Sequence, residues 1–493
     1  MKYKVLFLLS AIMCASNLQS ISFITTAESI SGNGAFASVS EGFESMLYNP
    51  AGLFSTPKKF GINVLGSYGV RYFNNTFSTD DILNIFSIGD VTEIFKKKYK
   101  EMNSYNANFD MGFDLSLFNI FAYKKLKTFS FGFSIQLKSS FTVTLGKELF
   151  SAFTNKLDLT NSLFFNVSST FSQYLDLTYS MSTRAKFLEK YIKIFDEIHV
   201  GATGHLYLPT IFLNMQGTGE IYHKDPNPLS DDFIRNVYPF GIKIASNISS
   251  SGLVQNALGS FGYVLDGMER DEKMSNIAKL LKPLLFNGKV GGFGLGIDMG
   301  FSFVFLKKFT AGFAITDLGF ITFPKSAAGE VNFDFDMTKL FSSDSSSDNE
   351  NYNINDDISS NVYLNENGIT WMTNLTIRTG IVWEPFDNKY FEFLLALDLS
   401  LSDFNRLLNP GEYITFNLST GVEFTPKVGI VKFPLRSAFS YNTQANVPSF
   451  SMGMGLYVGP VEMEIGIKGL EALILEWGAK EIQIGLDFKF EFD

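Results

Sequence analysis

The chain has 493 residues, of which 53 are phenylalanine, 18% are charged and a single one, Cys14, is cysteine. That content excludes wholesale disorder, and one thiol excludes a disulfide scaffold or a cysteine-rich zinc module. A net charge of −10 gives no electrostatic reason to bind nucleic acid, and a mean hydropathy of +0.09 excludes a bundle of lipid-spanning helices. What remains is an aromatic-rich β protein, either soluble or closed into a membrane barrel.

Lys2 and Lys4 precede an apolar run from Val5 to Ala15, followed by small and polar residues. This is the layout of a secretory signal peptide over residues 1–20, with cleavage after Ser16 or Ser20, or later at Ala27. Met13 is too large for the position before a lipidated cysteine, so Cys14 is read as part of an ordinary signal. Beyond it no apolar run approaches the length of a spanning helix.

From Phe60 onward the pattern has period two. Phe109, Met111, Phe113, Leu115 and Leu117 share one face of a strand. A basic turn at Lys124 and Lys125 joins it to Phe129, Phe131, Phe133, Ile135 and Leu137. Phe293 to Phe305 alternates with Gly292, Gly294, Gly296, Asp298, Gly300 and Ser302, and Phe309–Phe323 follows after Lys307 and Lys308. Further strands are expected at Phe60–Phe73, Leu163–Met181, Ile198–Phe212, Phe240–Ile248, Leu375–Trp383, Phe391–Leu401, Ile414–Phe424, Lys432–Tyr441, Phe450–Val458 and Val461–Ile467. At the C-terminus Ile482, Ile484, Leu486, Phe488, Phe490 and Phe492 alternate with Glu481, Gln483, Gly485, Asp487, Lys489 and Glu491, the layout of a terminal barrel strand one residue short of the chain end.

The count is about fourteen. Many runs reach the roughly 9–11 residues that a crossing strand needs, beyond the roughly 5–6 of a globular strand. One closed cylinder also leaves no backbone group unpaired in lipid. The expected fold is therefore all-β, a transmembrane antiparallel barrel over residues 60–493.

Between strands, Asp80–Tyr99 reads as an amphipathic helix opened by Ser78 to Asp81, and Leu253–Met268 and Ile277–Leu285 also read as helices. Ser342–Asp357, rich in Ser, Asp and Asn, reads as a surface loop. Trp371, Trp383 and Trp477 either join interfacial girdles or pack inside. Glycines at 292, 294, 296 and 300 would leave room in the lumen, or let another segment pack there. The same inner face includes Asp298, Arg71 and Phe73, a mixture unlike a water-filled pore.

Residues 32–53 read GNGAFASVSEGFESMLYNPAGL. The Gly-rich start and the closing Asn49-Pro50-Ala51-Gly52 resemble the N-terminal segment of the FadL family of outer-membrane transporters for hydrophobic compounds, whose superfamily includes PorV-like barrels. The resemblance implies a hatch over residues 21–59 folded inside the barrel, with Asn49, Pro50, Ala51 and Gly52 in its hold on the wall. It also implies a ligand, fatty acid-like or otherwise hydrophobic, that is captured outside, passes to an internal pocket and leaves when the hatch moves. In that setting Arg71 either meets a carboxylate head group or is a rim charge.

No GxSxG, HExxH, GxGxxG or P-loop is present, so no enzyme, cofactor or metal is expected. His199 and His205 would share a strand face without a ligand partner, His223 would lie in a turn, and Glu462 and Glu464 would face a solvated lumen. The partners expected are the lipid bilayer and a hydrophobic small molecule, with another outer-membrane protein possible, and the location is the cell outer membrane. The readings that compete with transport are a PorV-like scaffold or secretion partner and a secreted β-rich adhesin.

Overall fold

The computed structural model describes residues 25–63, 67–81, 94, 96–100, 108–149, 162–223, 240–252, 291–324, 326–336, 358–365, 368–402, 404, 414–443, 447–471 and 479–493. The signal peptide, the helices expected at Leu253–Met268 and Ile277–Leu285, the loop at Ser342–Asp357 and Trp477 lie outside the described residues. The helix expected at Asp80–Tyr99 is described only at its ends, 79–81 and 96–100, which are helical. Its start is capped reciprocally, Ser78 N–H donating to Asp81 Oδ2 at 2.8 Å and Asp81 N–H to Ser78 Oγ at 3.2 Å.

Three short helices come first: α1 (Ala27–Ser31), α2 (Gly42–Tyr48) and α3 (Gly52–Ser55), with a 3₁₀ turn at Ala37–Val39 between the first two. The wall follows. Its first position is shared by β1 (Phe60–Asn63) and β2 (Ser67–Asn74), and then come β3 (Asn108–Lys125), β4 (Phe129–Gly146), β5 (Leu163–Arg184) and β6 (Glu197–His223). A single helical turn, α4 (Lys186–Glu189), sits in the connection before β6.

β7 (Phe240–Gly252) and β8 (Phe293–Phe305) share the sixth position, because the 27-residue β6 pairs with β7 along its C-terminal half and with β8 along its N-terminal half. β9 (Phe309–Phe323) and β10 (Ser326–Asp336) form the seventh position. β11 (Ile358–Asn365), β12 (Ile369–Met372) and β13 (Thr376–Asp387) form the eighth. β14 (Phe391–Ser402), β15 (Thr415–Val428), β16 (Val431–Lys432) with β17 (Leu435–Asn442), β18 (Val447–Val458), β19 (Val461–Lys468) and β20 (Glu481–Phe492) complete the round. β20 pairs with both β1 and β2, so the sheet closes as a fourteen-position antiparallel barrel.

The alternation read from the sequence is the alternation of the wall. On β8, Phe293, Leu295, Ile297, Met299 and Phe301 are exposed on the outside while Asp298 and Ser302 are buried on the inside. On β20, Ile484 and Leu486 face out and Glu481, Gln483, Asp487 and Lys489 face in, all four buried. The exterior is thus oily and the interior polar, the inverse of a soluble protein and the arrangement that a lipid solvent requires.

Some boundaries differ from the sequence reading. β6 runs on to His223, which ends a strand rather than sitting in a turn. Pro209 lies at a bulge, where Gln173 pairs with Ile211 and Tyr174 with Pro209, leaving Thr210 unopposed. The run Lys432–Tyr441 is split because Pro434 donates no ladder hydrogen bond, and its carbonyl accepts from Gly455 N–H instead. β10 and β11 were not anticipated: their Ala, Gly and Ser content weakens the apolar alternation.

Candidate functional site

The N-terminal segment from Thr25 to Thr56 lies inside the barrel, almost wholly buried. The segment is held by apolar contacts, Phe43, Met46 and Leu53 packing with Phe121 and Tyr123 and Phe36 with Val382 and Ala396, and by hydrogen bonds to inward wall groups. Thr26 caps α1 by accepting from Ser29 N–H at 3.2 Å, and Ala27 N–H donates to Asp487 Oδ2 at 2.7 Å. Asn33 Nδ2 donates to Ser449 O at 3.0 Å, Ser38 N–H to Asp398 Oδ2 at 2.8 Å, and Ser419 and Ser451 donate to Asn33 O and Ser31 O.

The Asn-Pro-Ala-Gly stretch is the tightest part of this seat. Pro50 disfavours helical backbone at the residue before it, and Asn49 ends α2 in an extended conformation, φ −153° and ψ 98°. Its buried side chain donates to Ser38 O at 2.5 Å and to Phe301 O of β8 at 3.1 Å, and accepts from Ala51 N–H at 3.2 Å. Ser182 of β5 donates to Ala51 O at 2.8 Å. Gly52 must be glycine, since a Cβ there would lie 1.8 Å from Ser40 O.

The inward glycines divide by what they face. A Cβ on Gly300 would meet Asn49 Oδ1 at 2.0 Å, and one on Gly312 would meet Ser38 O at 1.8 Å, so these two make room for the N-terminal segment. Gly296 instead faces the Tyr207 hydroxyl. Gly294 lies against Phe320 and Ile321, and Gly292 against Thr322. The four candidates, three on β8 and Gly292 just before it, therefore face different neighbours.

On the inner side of the wall, Tyr174, Tyr207, Phe212, Ile321, Phe323 and Trp371 form one buried apolar cluster. Phe212 stacks on Trp371 with centroids 4.8 Å apart, and Tyr174 meets Tyr207 edge-on at 5.6 Å. The cluster lies where β6 passes from β8 to β7. It settles Trp371 as an interior residue, while Trp383 is exposed on the outer face.

Arg71 is not poised for a ligand carboxylate. Its Nε donates to Glu481 at 2.6 Å, its Nη1 to Asp114 at 3.2 Å, and the guanidinium lies 4.3 Å from the centroid of the Phe73 ring. The histidines do have partners, contrary to expectation. His205 bridges Asp176 (3.0 Å) and Asp298 (2.9 Å), with Lys138 2.9 Å from Asp176. His199 lies 3.1 Å from Glu197. Sequence spacing hid the His205 pairings because they join different strands, whereas Glu197 and His199 are two residues apart on β6.

Glu462 and Glu464 correct the reading further. Rather than facing water, they are buried in an ionic network that ties hatch to wall. Lys489 reaches Glu44 at 3.2 Å, Glu462 at 3.4 Å and Glu464 at 3.9 Å. Arg436 reaches Glu423 at 2.6 Å, Glu464 at 3.3 Å and Glu28 at 3.7 Å. Burial pushes the Glu44 carboxyl well above its ordinary range, more than Lys489 pulls it down. The alternating charges of β19 and β20 were the visible signal, but their hatch partners Glu28 and Glu44 lie more than 400 residues away in sequence.

The model of a family of unknown function, DUF5723, matches residues 50–466. No curated protein sequence matches the chain. Among solved structures it is similar to the Ralstonia pickettii toluene transporter TbuX, at 10% identity and a TM-score of 0.46, over 97% of this chain and all of that one. It is also similar to a Pseudomonas aeruginosa FadL homologue (10%, 0.43, 97% and 100%) and to the P. putida toluene transporter TodX (10%, 0.42, 94% and 98%).

Proposed function

We propose, for a chain that belongs to the DUF5723 family of unknown function and closes into a plugged barrel with an oily exterior, passive passage of hydrophobic small molecules across the outer membrane. The observation that carries this reading is the aromatic cluster of Tyr174, Tyr207, Phe212, Phe323 and Trp371 on the inner side of a barrel whose N-terminal segment is seated by hydrogen bonds, ion pairs and apolar contacts. A water-filled channel gains nothing from a buried aromatic lining. A hydrocarbon does, because each methylene leaving water is favoured by about 0.8 kcal/mol, so entry needs no energy source. Aromatic side chains suit flat rings and alkyl chains alike, which leaves long-chain fatty acids within the proposed substrate class. The hatch is then the gate, with Asn49 to Gly52 as its latch on β5 and β8.

Reconstituted vesicles test this. Entry of a fluorescent fatty acid and of an aromatic hydrocarbon is expected to be faster than into empty vesicles. In an Ala51→Cys/Ser182→Cys double variant the hatch is expected to be locked by oxidation and freed by reductant. Entry no faster than into empty vesicles for both probes overturns the proposal. A stable copurifying protein with no probe entry would favour the scaffold reading instead.

A further inference from the structure

The ionic network between hatch and wall carries more negative than positive charge. Five carboxylates, those of Glu28, Glu44, Glu423, Glu462 and Glu464, face two cations, Arg436 and Lys489. Three of these acids come together from separate elements: Glu28 from α1, Glu44 from α2 and Glu464 from β19. One oxygen of each lies within 4.8 Å of the others. The surplus charge is held away from water, the side chains of Glu44 and Glu464 being 4% and 1% exposed.

Glu464 adds an independent sign. Its Oε1 accepts from the Tyr457 hydroxyl and faces Arg436 and Lys489. Its Oε2 is buried and has no hydrogen-bond partner among the described residues. A carboxylate oxygen sealed from water and left unmatched is costly unless a cation meets it.

We propose that Glu28, Glu44 and Glu464 form a calcium site that staples the hatch to the barrel wall. The donor set is three carboxyl groups, all oxygen, which selects a hard cation over zinc or copper. Geometry selects calcium, which accepts the irregular arrangement that carboxylates fixed on three separate elements impose, whereas magnesium demands a near-ideal octahedron and gives up its waters reluctantly. Glu28 provides the way in, because its side chain remains 23% exposed while the other two are closed. Glu464 lies three residues from the tight turn at Val458–Val461, so the ion enters near the short-turn end of the barrel. The inference rests on the seat of the hatch and not on what passes through the lumen.

The test uses the full chain purified in detergent, stripped with chelator and titrated at pH 8 with calcium, followed by calorimetry and by protection of the hatch from protease. One calcium is expected to bind per chain, raising the thermal midpoint and the protection together. Magnesium at equal concentration is expected to do less. Removing a ligand costs no less than removing an outer partner, so Glu464→Gln and Glu28→Gln are each expected to weaken binding about tenfold or more. Glu28→Gln is the milder change, since only a 3.7 Å contact to Arg436 is lost with it, and it serves if Glu464→Gln does not fold. Absence of calcium binding, binding undiminished in Glu28→Gln, or an equal response to magnesium each overturns the site.

Discussion

Replacing a hydrogen by a methyl group at Gly300 places carbon 2.0 Å from the Asn49 side chain. Neither partner has room to give, since Asn49 is fully buried and bonded on both sides. Gly300→Ala is expected to cost about 1–3 kcal/mol by overpacking and to expose the hatch to protease. Gly204→Ala has no atom within 4 Å of its new carbon and is expected to be neutral, so comparing the two by denaturant titration separates a hatch effect from a general glycine effect. His205 gives a second prediction. Its ring lies between two buried carboxylates, and His205→Leu leaves both without it, at an expected cost of about 3–5 kcal/mol. Adding Asp298→Asn removes one of the stranded charges while keeping an acceptor for Asp317 N–H, which Asp298 now receives at 2.7 Å. The double variant is therefore expected to be more stable than the single one, and an additive loss would show that the bridge is not a unit.

At the scale of elements, the proposed hatch would be docked by a group whose affinity for its proton depends on being seated. Glu44 on α2 faces Lys489, Glu28, Glu464 and Asp487, and burial holds its carboxyl well above the ordinary value. A raised acid binds its proton more tightly when seated, so its contribution to docking is full below the ordinary range and is lost as pH rises through the raised value. With chelator present, protease access to the hatch is expected to increase with rising pH. Glu44→Gln, a neutral mimic that leaves Lys489 with Glu462 and Glu464, is expected to flatten that rise. A wild-type profile that is flat, or protection that grows with pH, contradicts the assignment. Little of this docking was legible beforehand. The strands were, because side chains at i and i+2 share a face and lipid outside against polar groups inside makes the alternation strong in β3, β4, β8 and β20. The N-terminal segment inside the barrel was legible only through Asn49-Pro50-Ala51-Gly52. The ionic network and the His205 bridge were not, since barrel closure joins residues such as Glu44 and Lys489 that no local pattern connects. β10 and β11 escaped because Ser, Ala and Gly blur the alternation.

The whole molecule is an inside-out cylinder, and its stability in lipid depends on depth as well as on face. β8 runs from the middle of the wall down to the turn at Leu306, with Met299 on its outer face part-way along and Leu306 fully out at the rim. At about 3.3 Å per residue and a tilt of about 45°, the seven steps from Leu306 back to Met299 place Met299 about 16 Å from the turn, close to the centre of a bilayer. Arginine there must strip its charge of water or distort the lipid around it, and the cost on a barrel exterior is about 2–4 kcal/mol at the midplane, falling to about 0–1 near the interface. Met299→Arg is expected to show the larger loss and Leu306→Arg almost none, measured by guanidinium unfolding in lipid vesicles. Ser302, on the inner face of the same strand and buried, does not sample lipid, so a charge introduced there would report on the lumen rather than on depth. A barrel whose oily band faces lipid must give this gradient along one face of β8. If Met299→Arg and Leu306→Arg cost the same, the band does not lie in the hydrocarbon, and the exterior apolar residues must be covered by something other than membrane.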